Sequence, residues 1–124
     1  MSDEEKHAEG RGHYKLEAWK RARELVLNVY KLTQMFPKEE TFGLAAQIRR
    51  AAVSVPSNIA EGAAREGERE FAQFLNIARG SLSELETQLL IATDLGYIKG
   101  NDPVFELVDL VSRLITGLRK SIQK

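Results

Sequence analysis

Residues 44–62 read L-A-A-Q-I-R-R-A-A-V-S-V-P-S-N-I-A-E-G. At 100° per residue, Leu44, Ile48, Ala51, Ala52, Val55 and Ile59 share one side of a helix, the apolar stripe of a packed segment. The rest of the circumference is unusual. Between Ala51 and Ala60 no residue is charged, and the far side carries Val53, Pro56 and Ala60. A helix that is apolar or small-polar all round is buried on more than one side. A chain of 124 residues has few helices with which to do that, so a second copy is expected to cover the remainder. The expected subunit interface is Val53, Ser54, Pro56, Ser57, Asn58 and Ala60, together with Gly80 and Ser81 of the helix that follows.

Pro56 lies inside this helix. Proline there removes the hydrogen bond to the Ala52 carbonyl and crowds that turn, at a cost of about 3 kcal/mol in an isolated helix. Ser54, Ser57 and Asn58 supply groups able to bond freed backbone atoms. Gln47, Arg50, Ser54, Asn58 and Glu61 form a polar line beside the apolar stripe, which predicts a hydrogen-bonded seam within the bundle or between subunits.

Three further helical patterns flank the stretch. Residues 16–34 place Trp19, Ala22, Val26, Val29, Tyr30 and Thr33 on one stripe, with Lys15, Lys20, Arg21, Arg23 and Lys31 as a basic flank. Phe36-Pro37 stops that helix, and the acidic pair Glu39-Glu40 then suits the positive start of the next. Residues 68–95 keep Phe71, Phe74, Leu75, Ala78, Leu82, Leu85, Leu89 and Ala92 in line, interrupted by Gly80 at roughly 1 kcal/mol relative to alanine. A glycine at mid-helix points to a close helix crossing, with Gly80 and Ser81 placed where the second helix, or its copy in a neighbour, crosses. Gly96 is positioned as a C-cap, Asn101 or Asp102 as the next N-cap with Pro103 in the first turn, and Val104, Leu107, Val108, Val111, Leu114, Ile115 and Leu118 as the last stripe. Four helices with short connections predict an all-α, up-down-up-down antiparallel four-helix bundle over residues 14–122, preceded by a disordered tail, residues 1–13.

The chain has no cysteine, which removes disulfides and thiolate chemistry and fits a reducing, cytoplasmic setting. Its acidic, glycine-bearing start has no apolar core of a signal peptide, and no run is long enough to span a membrane. Cations and acids balance at 18 each, unlike a histone-type nucleic-acid binder. Residues 1–9, however, hold Asp3, Glu4, Glu5 and Glu9 against Lys6, so the rest of the chain is three charges positive.

Enzyme chemistry finds little support. A di-metal carboxylate bundle needs inward glutamates with Glu-x-x-His pairs, and no histidine follows position 13. His7 and His13 lack further ligands at a fixed spacing, so no metal site is expected. No phosphate-cradling glycine loop or nucleophile elbow is present. Glu61, Glu70 and Glu84 have no histidine or metal partner for acid–base work and read as helix contacts. The expectation is a non-enzymatic protein with no cofactor, catalytic residue or small-molecule substrate.

A specific set of residues carries a family resemblance. It comprises Phe36-Pro37-x-x-Glu40, Gly43-Leu44, Gln47 to Ala52, Ser54-Val55-Pro56-x-Asn58-Ile59-Ala60-Glu61-Gly62, then Glu70-Phe71-x-x-Phe74-Leu75-x-Ile77-Ala78-x-Gly80-Ser81-x-x-Glu84-Leu85-Glu86-Thr87, and Leu95-Gly96-Tyr97-Ile98. In polar, glycine and apolar positions alike this resembles the four-helix-bundle family named for proteins encoded in intervening sequences of 23S ribosomal RNA genes. The resemblance implies a homopentameric ring without catalytic activity. It also brings in a related group, the accessory variability proteins of diversity-generating retroelements, which bind nucleic acid and a reverse transcriptase. This chain, neutral overall, departs from the strongly basic character of that group.

Two functions follow as expectations. In a ring, copies of Lys20, Arg21, Arg23, Arg49, Arg50 and Arg79 would build a basic surface for RNA or DNA, through phosphate contacts and with a reverse transcriptase as protein partner. Alternatively the protein is an interaction module with no nucleic-acid binding of its own.

Overall fold

The computed structural model describes residues 12–122; the expected tail up to residue 11 lies outside them. Residues Gly12–Lys15 form a 3-10 turn, so the last two positions assigned to the tail are structured. Four helices follow: α1 Glu17–Thr33, α2 Leu44–Ala63, α3 Glu68–Asp94 and α4 Val104–Ile122, with no strand among the described residues. Packing runs round a square, α1 on α2, α2 on α3, α3 on α4 and α4 back on α1. With the short connections this is a four-helix bundle of antiparallel neighbours.

Leu25 and Val29 of α1, Ile48, Val55 and Ile59 of α2, Leu75, Leu85 and Leu89 of α3, and Val111 and Ile115 of α4 are fully buried at the centre. The apolar stripe of α1 is rotated from its expected position. Leu25 is buried where Val26 was expected, Val26 is half-buried, and Tyr30 is 39% exposed. Ala18, Ala22, Leu25 and Val29 recur at alternating spacings of four and three, which aims one seam at both neighbours.

The connections are pinned by side chains. Glu40 accepts the Leu44 backbone N–H at 3.2 Å through Oε1, supplying a partner at the start of α2, and accepts the Tyr97 hydroxyl at 2.9 Å through Oε2. Tyr97 also packs on Phe36, so the α1–α2 and α3–α4 connections meet at one end of the bundle. The α3 C-terminus closes with Gly96 at φ 82°, where Gly96 N–H bonds Thr93 O and Tyr97 N–H bonds Ala92 O, both at 2.9 Å. That paired pattern needs the left-handed conformation glycine adopts freely. At α4, Asp102 is the capping acceptor, taking the Val104 N–H at 2.9 Å.

At the other end, α2 and α3 meet closely. A Cβ on Gly62 would lie 2.6 Å from the Phe74 Cβ and 3.0 Å from Phe71 Cδ1, so only glycine lets the helices converge here. Pro56 sits within a continuous α2 and is buried by this chain's own helices. Ser57 Oγ donates to Val53 O at 2.8 Å, and Asn58 Nδ2 to Ser54 O at 2.8 Å, just past the carbonyl the proline frees.

A candidate interaction face on α2 and its flanks

Packing of α1 and α3 against α2 divides the residues expected at a subunit interface into two groups. The first lies inside the chain. Pro56 is buried, and Ser54, Asn58 and Ser81 form a seam in which the Ser54 and Ser81 hydroxyls share a hydrogen bond of 2.8 Å and Asn58 Nδ2 donates to Ser54 Oγ at 2.9 Å. The predicted polar seam is thus intramolecular at Ser54 and Asn58, with Ser81 of α3 as their partner, while Gln47, Arg50 and Glu61 on the same line are exposed. The second group faces outward. Val53 is 40% exposed, Ser57 and Gly80 are exposed, and Ala60 is half-buried. Ser81 meets α2 as expected; a Cβ on Gly80 would meet nothing within 4 Å, so no crossing in this chain requires that glycine.

The apolar surplus is correspondingly narrower than α2's composition implied, and it continues onto neighbouring helices. An open groove of about 460 Å³ runs between α1 and α2, with Val26, Leu27, Val53 and Pro56 as its apolar lining and Lys20, Arg23 and Glu24 at its edge. Leu27 is 63% exposed. On α3, Ile77, Ile91 and Leu95 are exposed along one side. Met35 and Phe42, at the α1–α2 connection, are the most exposed large apolar residues described. Leu27, Met35, Phe42 and Ile91 were not singled out from sequence, although Leu27 and Ile91 were visible as apolar residues left off the core stripes.

The six expected phosphate-contacting cations do not form one free surface. Arg21 is held by Glu24 at 2.9 Å and Glu17 at 3.7 Å, and the Glu24 bond raises its already high pKa. Lys20 lies 3.6 Å from Glu17. Arg49 stacks over the Tyr30 ring at 4.5 Å and donates to Thr33 Oγ1 at 2.8 Å and Tyr30 O at 3.3 Å. Arg23 lies over Trp19 at 4.8 Å. Arg79 borders a separate cleft between α3 and α4 with Glu86 and Asp109. Arg50 is exposed, in a shallow basin shared with Arg49, Tyr30, Thr41, Ala46 and Val53. The structure therefore gathers Lys20, Arg23, Arg49 and Arg50 along the α1–α2 side and sets Arg79 apart.

The glutamates weighed for acid–base chemistry are engaged locally. Glu61 pairs with Arg65 at 3.1 Å, Glu70 lies 3.9 Å from the same guanidinium, and Glu84 accepts from Gln88 Nε2 at 3.2 Å. Among the described residues no group of three or more histidines, cysteines or acids is placed to hold a metal ion. Among them, too, no helix is long and apolar enough to cross a membrane.

With this geometry in view, known proteins place the chain. A solved structure at 1.70 Å, a protein of unknown function from the S23 ribosomal protein family of Bacteroides thetaiotaomicron VPI-5482, matches with a TM-score of 0.62 at 22% identity, covering 85% of this chain and 94% of that one. At that identity the likeness establishes the fold. No curated protein matches the sequence. The family model of the 23S rRNA-intervening sequence proteins matches residues 14–117, nearly the whole bundle, and the chain therefore belongs to that family.

Proposed function

We propose that the protein is a non-enzymatic interaction scaffold that assembles with its own copies, as a homopentamer, and presents its exposed apolar surface to a protein partner. One observation carries this reading: Leu27 and Val53 stay exposed across the α1–α2 groove, and Val53 continues into the neighbouring basin with exposed Tyr30, in a bundle whose centre is otherwise closed. Contiguous exposed apolar surface of this kind marks a contact with another macromolecule. The family resemblance supplies the number five and a reverse transcriptase as the partner class. The test is sedimentation at micromolar concentration, followed by co-purification after nuclease treatment. A defined oligomer and a nuclease-resistant partner support the scaffold. A solitary 13.9 kDa particle that captures nothing refutes it.

A second reading has its own observation. Lys20, Arg23, Arg49 and Arg50 lie along one side of the bundle, so an assembled form multiplies a basic strip that the neutral monomer hides. Such a surface would hold RNA or DNA through phosphates, with affinity falling steeply as salt rises. Filter binding at about 50 mM salt decides it, since phosphate contacts are strongest there.

A further inference from the structure

We infer that the acidic segment before Gly12 docks on the α1–α2 groove of its own chain and covers it. Its use as a cover rests on the scaffold reading above, in which this groove receives a partner; the docking itself does not. Composition and point of attachment argue for it. Asp3, Glu4 and Glu5 are consecutive and Glu9 follows, against Lys6 and Arg11. The chain then enters the bundle at the turn Gly12–Lys15, which packs on α1 and α2. The groove lies close by. Lys20 and Arg23 stand at its edge, in the first two turns of α1, and the trough runs on to Leu27, about 10 Å along the helix at 1.5 Å per residue. Eleven extended residues span up to about 35 Å, so the acids can reach all of it.

Charge favours this occupant. Glu24, the acid at the same edge, is bonded by Arg21 at 2.9 Å. The opposite wall, Val53 and Pro56, belongs to a helix with no acid from residue 44 to residue 60. Lys20 lies 3.6 Å from Glu17 with 52% of its side chain exposed. An exposed pair of that kind is weak and yields to a run of three carboxylates.

The fit is electrostatic and incomplete, which makes the segment a removable cover. Residues 1–11 carry only Met1 and Ala8 as apolar side chains, too few to fill about 460 Å³ lined by Val26, Leu27, Val53 and Pro56. The hold comes from the rim, where exposed, screened pairs are individually weak. Attachment compensates, because a segment joined this closely acts at an effective concentration of about 1 mM. A contact with a Kd of about 1 mM as a free peptide is then about half formed within the chain. A partner that brings both acidic groups and apolar side chains displaces it.

The test is paramagnetic relaxation on the full chain, which has no cysteine, so Ser2→Cys supplies a single nitroxide site. At about 20 mM salt the label should broaden the Leu27 and Val53 amide signals and leave those of Ser83 and Ser112, in the α3–α4 cleft, sharp. Raising salt to about 0.5 M should remove the effect. Lys20→Glu/Arg23→Glu, at two exposed positions, should weaken the contact about tenfold and cut its occupancy from about one half to about one tenth. Adding Asp3→Lys/Glu4→Lys/Glu5→Lys to that variant should restore the broadening. Broadening that is equal at all four amides, or unchanged by salt or by the reversal, overturns the docking. So does a failure of restoration in a variant whose circular dichroism is native. Broadening caused by a label on a separate, isotopically silent chain identifies a second copy as the occupant and overturns it too. A monomeric wild type that captures no partner sinks the scaffold reading while the relaxation contact still establishes the docking; an assembling wild type without that contact does the reverse.

Discussion

Two glycines in neighbouring helices should respond to the same substitution with opposite signs. At Gly80, alanine gains about 1 kcal/mol of helix propensity, and its Cβ would touch nothing within 4 Å. At Gly62 the added carbon would fall 2.6 Å from the Phe74 Cβ, an atom fixed by its own backbone, and 3.3 Å from the Phe71 carbonyl. The helices α2 and α3 must then part at their closest point. Overpacking of that kind costs about 1–3 kcal/mol. The propensity gain near a helix end is smaller than at mid-helix, which leaves Gly62→Ala destabilised by about 1–2 kcal/mol. With roughly 2.1 cal/mol/K per residue of unfolding entropy, 1 kcal/mol over this bundle corresponds to about 4 °C.

Gly80→Ala should therefore melt about 4 °C above the wild type, and Gly62→Ala about 4–8 °C below it. The measurement is thermal and urea unfolding of both variants at a concentration low enough that assembly adds nothing to stability. A Gly62→Ala protein as stable as the wild type would refute the tight α2–α3 crossing. A Gly80→Ala protein less stable than the wild type would refute the open space above α3.

Other substitutions separate the roles of single groups. Ile48→Ala should cost about 2–5 kcal/mol, because Ile48 is fully buried, whereas Val53→Ala on the same helix should stay near 0.5 kcal/mol in the monomer; urea midpoints compare them. Ser54→Ala should cost about 1 kcal/mol by removing one partner of Ser81 and of Asn58, and the Ser54→Ala/Ser81→Ala double variant should cost less than the sum of the two singles. Tyr97 has its pKa raised, first by the hydrogen bond to Glu40, then by burial, then by the charges of Glu40 and Glu39. A raised folded-state value means the neutral phenol is favoured by folding. Its contribution is complete below pH of about 10 and is lost as pH climbs through the folded value, so Tyr97→Phe should flatten the alkaline limb of stability against pH.

Much of the bundle was legible because local rules govern it. The stops at Pro37 and Gly96, the cap at Asp102 and the core stripes of α3 and α4 depend on residues within one or two turns of each other. Rotation of α1 was not legible. Val26 and Tyr30 look as fit for the core as Leu25, and only the direction from which α2 and α4 approach decides between them. The cations divide the same way. Arg21 has acids at i−4 and i+3, a pairing visible in sequence, whereas Arg49 is fixed by Thr33 and Tyr30, 16 and 19 residues away on another helix.

Pro56 alters where the case for assembly must rest. Counted from composition, α2 had an uncharged girth that three sister helices could not hide. In the fold, α1 and α3 take up most of it: Pro56 turns into the α1–α2 contact, and Ser54 and Asn58 are spent on the seam to Ser81. Val53, Ser57 and part of Ala60 remain, too narrow a strip to demand a neighbour alone. The exposed apolar surface lies instead beside it, in the groove that holds Leu27 and along α3 at Ile77 and Ile91. An uncharged helix surface would pair with itself as readily as with anything else. A groove with Lys20, Arg23 and Glu24 at its rim discriminates between occupants by charge as well as by shape, which makes its selectivity measurable by salt dependence.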